Sequence, residues 1–220
     1  MVLSQSVEDY LKAIYKLQSP EKGATTSSIS NALDVSSASA TNMVKRLAEM
    51  GLVDYESYKG AKLTDAGRNV ALEIIRHHRL LELYLLEVMG YSWDEVHDEA
   101  EKLEHHISER FEDKIAELLD DPTHDPHGDP IPTKDGIMPE LDEWSLAKAN
   151  IHQAYMIARV KDQDPERLRY LEKEGLLPGA RVEVKKREPF DGPVILLVED
   201  HEKVIGHDLA STIFIAELSE

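Results

Sequence analysis

The chain has 220 residues, no cysteine, 41% hydrophobic residues and a formal net charge of −18. This length fits one large domain or two to three small ones, and no apolar run is long enough to span a bilayer. The absence of cysteine excludes disulfides, thiolate metal sites and cysteine nucleophiles, so carboxylate and imidazole groups must bind any metal. No secretory signal is visible, and we therefore expect a cytoplasmic protein with no membrane partner.

The negative charge belongs to one part of the chain. Residues 1–70 contain eight basic and eight acidic residues, which cancel, so the whole charge of −18 is carried by residues 71–220. A neutral region with clustered cations can approach phosphates, whereas an acidic remainder is repelled by DNA. The charge distribution therefore leaves DNA binding open to residues 1–70.

The first 70 residues are predicted to form a winged helix-turn-helix. Apolar residues at helical spacing predict a helix that ends near Ser19-Pro20, a second that begins at Thr26 and a third over residues 37–50. The second and third have the spacing of a helix-turn-helix. Two short strands, residues 52–55 and 61–63, would then pair as a hairpin. Helices followed by such a hairpin form a winged helix.

The outward side of the third helix is the predicted DNA-recognition surface. In this arrangement the helix enters the major groove, where small side chains allow close approach and an asparagine can pair with an adenine edge. Lysine and arginine further along the helix, and a lysine at the hairpin tip, suit phosphates. The predicted DNA-binding residues are Ser37, Ala38, Ser39, Thr41, Asn42, Lys45, Arg46 and Lys59. A purely structural three-helix domain is the alternative.

Residues 67–119 are predicted to be helical almost throughout. Residues 80–86 are apolar nearly all round the helix, which favours a homodimer in which a second copy of the chain buries one side. Two copies would place their recognition helices one DNA turn apart, about 34 Å, on a double-stranded operator. Such an operator would be near-palindromic because it mirrors the two-fold symmetry of the protein.

Side chains that can bind a metal recur at helical spacing over residues 97–106. On a single helix, four of them would lie within about one third of the circumference and form one ligand face. These four are His97, Glu101, Glu104 and His105. A solvated acidic helix face is the alternative. His78 and Glu82, four residues apart on the preceding helix, also share a face and indicate a second site that needs ligands from elsewhere.

The last third of the chain differs in character. Residues 120–150 are rich in proline, aspartate and glycine, which predicts a linker. Short strand candidates broken by Pro178-Gly179 and Asp191-Gly192-Pro193 then predict a small β-barrel. These strand candidates are residues 155–160, 180–186, 194–198, 203–206 and 213–218.

Over essentially its whole length the chain resembles the diphtheria toxin repressor-like, metal-dependent regulators of iron and manganese genes. The resemblance rests on residues 7–15, 78–82, 96–106 and 128–132. It implies a mainly α fold with small β parts: an N-terminal winged helix-turn-helix, a helical dimerisation domain and a C-terminal SH3-like β-barrel. The implied domains are 1–70 for DNA binding, 71–140 for metal binding and dimerisation, and 141–220 for the linker end and SH3-like domain.

The resemblance also implies a primary metal site formed by Asp9, Glu101, Glu104 and His105. Iron-responsive members of the family have sulfur ligands where this chain has Asp9 and Glu101, so the site is more similar to that of the manganese branch. Its oxygen and imidazole ligands suit Mn(II) or Fe(II), with other divalent transition metals as substitutes in vitro. Short manganese regulators carry a second carboxylate at the position of Lys12, which argues here against a paired-metal core.

A second metal site is implied by the three-domain members of the family. Its ligands would be His78, Glu82, Asp125, His127 and Asp164. His97 is a competing ligand, used in iron-type members, and His124 could replace His127. The alternative role of Asp164 is a helix N-cap, because Pro165 and a helical run follow it.

These patterns predict a metal-dependent repressor of metal homeostasis genes and not an enzyme. The proposed corepressor, Mn(II) or Fe(II), would tie the first helix to the dimerisation core and fix two winged domains at operator spacing. One alternative is a metalloenzyme with carboxylates and histidines in a helical core. Another is a winged-helix regulator that metal does not control.

Overall fold

The computed structural model describes residues 3–19 and 21–218, and the chain divides into two compact units. The winged unit comprises residues up to 78, with 103–108 and 132–138. The C-terminal unit comprises residues 79–102 and 109–131 and everything from 139 onward. Residues 103–108 therefore belong to the same unit as the N-terminal helices.

The winged unit begins with three helices and a two-stranded hairpin, as predicted. These elements are α1 (Gln5–Leu17), α2 (Thr26–Ala32), α3 (Ser37–Glu49), β1 (Val53–Glu56) and β2 (Gly60–Leu63). The side chain of Ser36 caps α3 by accepting a hydrogen bond from the amide of Ser39. Leu11 and Ile14 of α1 share one apolar core with Val44 and Leu47 of α3. The position of α1 therefore determines that of α3.

Three further helices follow the hairpin. They are α4 (Asp65–Glu87), α5 (Val96–Leu103) and α6 (Glu109–Leu118). α5 ends at Leu103, and Glu104 and His105 lie in the turn that follows it. The amide of His106 bonds the carbonyl of Leu103, which tightens this turn. The prediction of one continuous helical ligand face from His97 to His105 is therefore wrong.

The leucines of α4 are already buried in a single chain. Leu80, Leu81, Leu83 and Leu85 have exposed fractions of 9% or less. The prediction that a second copy of the chain buries these leucines is therefore not needed to explain their apolar character. Exposed apolar side chains lie instead just after α4 and on α6. They include Val88, Met89, Phe111 and Leu118.

Residues 124–130, within the predicted linker, form a folded turn of the C-terminal unit. The amide of Asp125 bonds the carbonyl of Asp129, and the amide of Val160 bonds the carbonyl of His127. Gly128 has a φ of +87°, and a Cβ there would lie 2.1 Å from the carbonyl oxygen of Ala158. Only glycine tolerates this conformation and this close approach. This part of the linker is therefore not a free spacer.

The chain ends in a six-stranded antiparallel sheet with the strand order β3-β8-β4-β5-β6-β7. The strands are β3 (Trp144–Ser145), β4 (Ala154–Val160), β5 (Arg181–Arg187), β6 (Val194–Val198), β7 (His201–Ile205) and β8 (Ile213–Ala216). Helix α7 (Pro165–Lys173) follows β4, and α8 (His207–Thr212) precedes β8. Alternate residues such as Val182 and Val184 are buried, which is the pattern of strands with one face on a core. Among the described residues, no helix is both long and apolar enough to cross a membrane.

Candidate metal centre and DNA-binding surface

Three predicted ligands meet inside the winged unit. Asp9 of α1 and Glu104 and His105 of the turn after α5 each offer a ligand atom, and these atoms lie within 4.8 Å of one another. His105 Nε2 lies 2.8 Å from Asp9 Oδ1 and 3.2 Å from Glu104 Oε1. Two carboxylates and one imidazole are ligands that Mn(II) and Fe(II) accept. We call Asp9, Glu104 and His105 the primary cluster.

The end of α5 explains how Glu104 and His105 reach α1. After Leu103 the backbone leaves the helix, and His77 Nδ1 of α4 lies 3.1 Å from the carbonyl oxygen of Glu104. Glu104 is fully buried, and the side chain of His105 is 2% exposed. These two side chains therefore have fixed surroundings, as a preformed binding site requires.

Glu8 supports the primary cluster, and the sequence reasoning missed it. Its carboxylate Oε2 lies 2.7 Å from His105 Nδ1. A histidine that donates its Nδ1 proton to a carboxylate presents the lone pair of Nε2 in a fixed direction. Here Nε2 points to Asp9. The adjacent acidic pair Glu8-Asp9 on a predicted helix was the available signal, since one member could bind metal and the other could orient a histidine.

Glu104 has two further partners in the winged unit. Lys12 Nζ lies 2.6 Å from its Oε1, and His78 Nδ1 lies 2.6 Å from its Oε2. His78 thus contacts the primary cluster, although it was predicted as a second-site ligand with Glu82. A buried carboxylate needs such partners, because without them its burial costs several kcal/mol.

A second group of predicted ligands lies in the C-terminal unit. His97 Nδ1 of α5 lies 2.9 Å from Glu82 Oε1 of α4, and its Nε2 lies 3.8 Å from Glu101 Oε1. Glu82 is 2% exposed. Glu101, predicted for the primary site, therefore pairs with His97 within its own unit. Its place as a primary ligand stays a prediction.

The turn over residues 124–130 adds Asp125 and His127 to this group. Asp125 Oδ1 accepts hydrogen bonds from the amides of His127 and Asp129, at 2.8 and 2.9 Å. Burial raises the pKa of Asp125 well above its ordinary value, and the negative charges of Glu82 and Asp129 raise it further. Arg79 acts in the opposite direction. We call Glu82, His97, Asp125 and His127 the secondary cluster.

The two histidines of the turn differ in surroundings. His127 is 6% exposed, and its ring centroid lies 4.9 Å from that of Trp93. His124 is exposed, with its Nδ1 2.9 Å from the hydroxyl of Thr123. The buried position of His127 favours it over His124 as a metal ligand.

Asp164 has the position of a helix cap. It is exposed, and its Oδ1 accepts hydrogen bonds from the amides of Glu166 and Arg167 at the start of α7. Asp162, two residues earlier, is 6% exposed at its side chain, and its Oδ2 lies 3.0 Å from Arg167 Nη1. Sequence reasoning preferred Asp164 and overlooked Asp162, because only burial distinguishes two nearby aspartates.

The predicted DNA-binding residues share one side of α3. Ser37, Ala38, Ser39, Asn42, Lys45 and Arg46 are exposed. Ala40, Val44 and Leu47 face the core instead. The hydroxyl of Thr41 donates to the carbonyl of Ser37 at 2.8 Å. The methyl group of Thr41 is therefore the part of this side chain that is available to contact DNA. The outward surface of α3 therefore consists of small and polar side chains at its start and of cationic side chains towards its end.

The hairpin tip adds an aromatic residue to this surface. Lys59 is exposed and lies 2.7 Å from Glu56 across the turn. Tyr58 is fully exposed and has a φ of +71°, which is uncommon for a residue other than glycine. Tyr58 is absent from the DNA-binding residues predicted from the sequence. An exposed aromatic ring at a wing tip is a further candidate for DNA contact.

The fold and the two clusters define a class of protein, a winged helix-turn-helix regulator with candidate metal ligands. Comparison with known families gives the particular family. Residues 2–61 match the iron-dependent repressor N-terminal DNA-binding domain, and residues 64–133 match the iron-dependent repressor metal-binding and dimerisation domain. Residues 144–217 match the FeoA domain. The chain belongs to the iron-dependent, diphtheria toxin repressor-like family of transcriptional repressors.

Individual relatives agree with this assignment. The iron-dependent repressor IdeR of Mycobacterium tuberculosis is 32% identical, over 96% of this chain and 96% of its own length. The regulator MntR of Oceanobacillus iheyensis is 38% identical, over 52% of this chain and 77% of its own length. A solved manganese-dependent transcriptional repressor in complex with manganese is 37% identical and superimposes with a TM-score of 0.88, covering 96% of this chain and 100% of the other. The resemblance seen in the sequence is confirmed.

Proposed function

We propose that this chain represses genes of metal homeostasis by binding a near-palindromic operator as a homodimer when Mn(II) or Fe(II) is held by the primary cluster. The observation that carries the proposal is the convergence of Asp9, Glu104 and His105 within 4.8 Å. These groups come from two segments separated by about ninety residues of sequence, and one segment is the first helix of the DNA-binding domain. Solved relatives bind manganese, cadmium and zinc, which supports divalent metals as the corepressor class.

The chemistry of the primary cluster fits a divalent transition metal. Two carboxylates and an imidazole match the hard to borderline character of Mn(II) and Fe(II), and His105 is already oriented by Glu8. A bound cation would offset the negative charge of the two carboxylates.

Metal binding and DNA binding are coupled through α1. Asp9 lies on the same helix as Leu11 and Ile14, which pack in one core with Val44 and Leu47 of the recognition helix α3. Fixing Asp9 against Glu104 and His105 therefore restricts the position of α3. The metal favours the DNA-competent arrangement because it binds that arrangement more tightly than the other. DNA must then strengthen metal binding by the same factor.

The homodimer follows from the dimerisation domain of the family. Exposed apolar side chains after α4 and on α6 are the candidate interface, with Met89 56% and Leu118 62% exposed. Two copies would place their α3 helices about 34 Å apart on an operator with two half-sites. This role has no catalytic step, and it implies the cytoplasmic location predicted from the sequence.

Operator binding should be followed in a metal titration. A pool of random-sequence duplexes selected with Mn(II) gives the operator, whose two half-sites test the dimer geometry. Binding is then measured by fluorescence anisotropy with Mn(II), anaerobic Fe(II), Zn(II) or chelator. We expect strong binding only with metal for the wild type and loss of the metal response in Asp9→Ala.

Glu73→Ala provides the matched control for that experiment, since Glu73 is an exposed carboxylate of the winged unit on α4. It should keep the full metal response. Equal DNA binding by the wild type in chelator and in metal would overturn the corepressor role. Retention of the metal response in Asp9→Ala would overturn the assignment of the primary cluster.

A further inference from the structure

Lys12 places a buried positive charge beside the primary cluster. It lies on α1, three residues after Asp9, and only 6% of it is exposed. Its Nζ lies 2.6 Å from Glu104 Oε1. Lysine is almost never this buried unless it is paired, so the contact with Glu104 is the condition for its burial.

Lys12 binds the same oxygen that faces the other ligands. Glu104 Oε1 is 2.6 Å from Lys12 Nζ and also 3.2 Å from His105 Nε2. The other oxygen of Glu104, Oε2, is 2.6 Å from His78 Nδ1. Glu104 is thus engaged at both oxygens by groups of the winged unit, and one of these groups is the amino group of Lys12.

We propose that Lys12 is an internal competitor of the metal: its ammonium group neutralises Glu104 when metal is absent, and its positive charge lowers the affinity of the primary cluster for divalent cations. The inference rests on the proposed function of the primary cluster. Lys12 is a positioning and affinity-setting residue and is not itself a ligand, because an ammonium group has no lone pair to donate.

Electrostatics gives the direction of the effect. Two cations held by one carboxylate oxygen are separated by less than about 6 Å, since metal–oxygen distances are about 2.0–2.6 Å and hydrogen bonds about 3 Å. In a buried site such a pair repels strongly. The protein must either bear this repulsion or withdraw the ammonium from Glu104 and expose it to solvent. Both routes reduce metal affinity relative to a neutral residue at position 12.

The same contact serves the metal-free protein. Glu104 is completely buried, and a buried carboxylate without a counter-charge destabilises the fold. Lys12 therefore stabilises the metal-free protein and at the same time raises the metal concentration at which the site fills. A role in stability alone would give no increase in metal affinity when Lys12 is replaced. The two roles therefore predict different results: competition predicts tighter metal binding when Lys12 is replaced, and a role in stability alone predicts unchanged or weaker binding.

The test compares three variants of the full chain by Mn(II) affinity without DNA, from competition with a fluorescent chelator at fixed pH and ionic strength. Lys12→Gln removes the charge and keeps a hydrogen-bond donor, and we expect Mn(II) to bind at least about tenfold more tightly. Lys12→Arg keeps the charge and should bind as the wild type does. Lys16→Gln removes a charge from an exposed site one turn further along α1 and should leave affinity unchanged.

Thermal unfolding of the metal-free protein is the second measurement. Lys12→Gln should lower the melting temperature although it raises Mn(II) affinity, and this combination distinguishes competition from a general loss of structure. Mn(II) affinity that is unchanged or weaker in Lys12→Gln, in a protein with native circular dichroism, would overturn the inference. Asp9→Ala separates this failure from failure of the site: if Asp9→Ala binds Mn(II) as the wild type does, the primary cluster itself is wrongly assigned.

Discussion

The primary and secondary clusters use similar residue types but balance their charge differently. In the primary cluster a fully buried glutamate, Glu104, is paired with the ammonium of Lys12 at 2.6 Å. In the secondary cluster the buried Asp125 lies near Glu82, and the guanidinium of Arg79 is 3.7 Å from its Oδ2. The pKa of Asp125 is consequently raised, by burial first and by the neighbouring carboxylates second.

This difference indicates two ways of keeping ligands ready without metal. A lysine salt bridge gives a buried carboxylate a counter-charge and a fixed position, whereas close packing of carboxylates favours protonation of one of them. In the first case a divalent cation competes with an ammonium group, and in the second it competes with a proton. The clusters should therefore respond differently to substitution and to pH.

The largest effect is expected when a ligand of the primary cluster is removed. His105→Ala deletes the nitrogen that lies 2.8 Å from Asp9 and 3.2 Å from Glu104. Mn(II) affinity should fall by more than the roughly 10–100-fold typical of losing an outer partner of a metal ligand. Isothermal titration calorimetry with Mn(II) measures the loss. The matched control, His124→Ala, removes an exposed histidine and should bind Mn(II) as the wild type does.

Glu8 should have the next largest effect. Glu8→Ala removes the acceptor of His105 Nδ1, and we expect Mn(II) affinity to fall about 10–100-fold. Glu8→Gln retains an acceptor oxygen and should recover part of the loss. The absorption spectrum of bound Co(II) reports whether the ligand geometry changes in Glu8→Ala. Identical Co(II) spectra and Mn(II) affinities in all three proteins would show that Glu8 does not orient His105.

The sequence was sufficient to predict the fold and most of the ligand candidates. Helical periodicity and the hairpin signal located α1, α3 and the wing, because amphipathic patterns and turn residues act locally. The family resemblance supplied Asp9 as a distant partner. Periodicity predicted the wrong end for α5. The apolar pattern continues past Leu103, but the backbone turns there, and His105 lies next to Asp9 of α1.

Side-chain partners were the part that the sequence could not supply. Local sequence patterns predicted no contact for Glu8 or Lys12, because their partners are His105 and Glu104, nearly a hundred residues away. Composition alone predicts a linker at residues 124–130. The folded turn there depends on the close approach of Gly128 to Ala158. Such contacts arise from tertiary packing and leave little trace in local patterns.

The secondary cluster can be tested through the stability of the metal-free protein. Because the folded pKa of Asp125 lies above the ordinary value of about 3.9, this group stabilises the fold at low pH, and the stabilisation is lost as pH rises through the folded pKa. Asp125→Asn should therefore raise the free energy of unfolding at pH 7. The gain should vanish below about pH 4.

Urea unfolding at pH 7 and at pH 4 measures both values, and Asp125→Asn should also reduce the stabilisation that added Mn(II) gives. Asp142→Asn, at an exposed aspartate of the same unit, is the matched control and should show no such gain. A variant less stable than the wild type at pH 7 would mean that the charge of Asp125 is favourable in the metal-free fold. The secondary cluster would then not differ from the primary one in its charge balance.

The smallest effect concerns the two aspartates before α7. Asp164→Ala removes the N-cap and should cost about 1 kcal/mol of stability, since its Oδ1 accepts from two amides, but it should leave the Mn(II) stoichiometry unchanged. Asp162→Ala should lower the Mn(II) affinity of the secondary cluster, because the carboxylate of Asp162 is buried and close in sequence to Val160, which bonds the carbonyl of His127. Calorimetric titration of both variants decides the point: loss of a Mn(II) site in Asp164→Ala alone would assign metal binding to the cap residue and exclude Asp162.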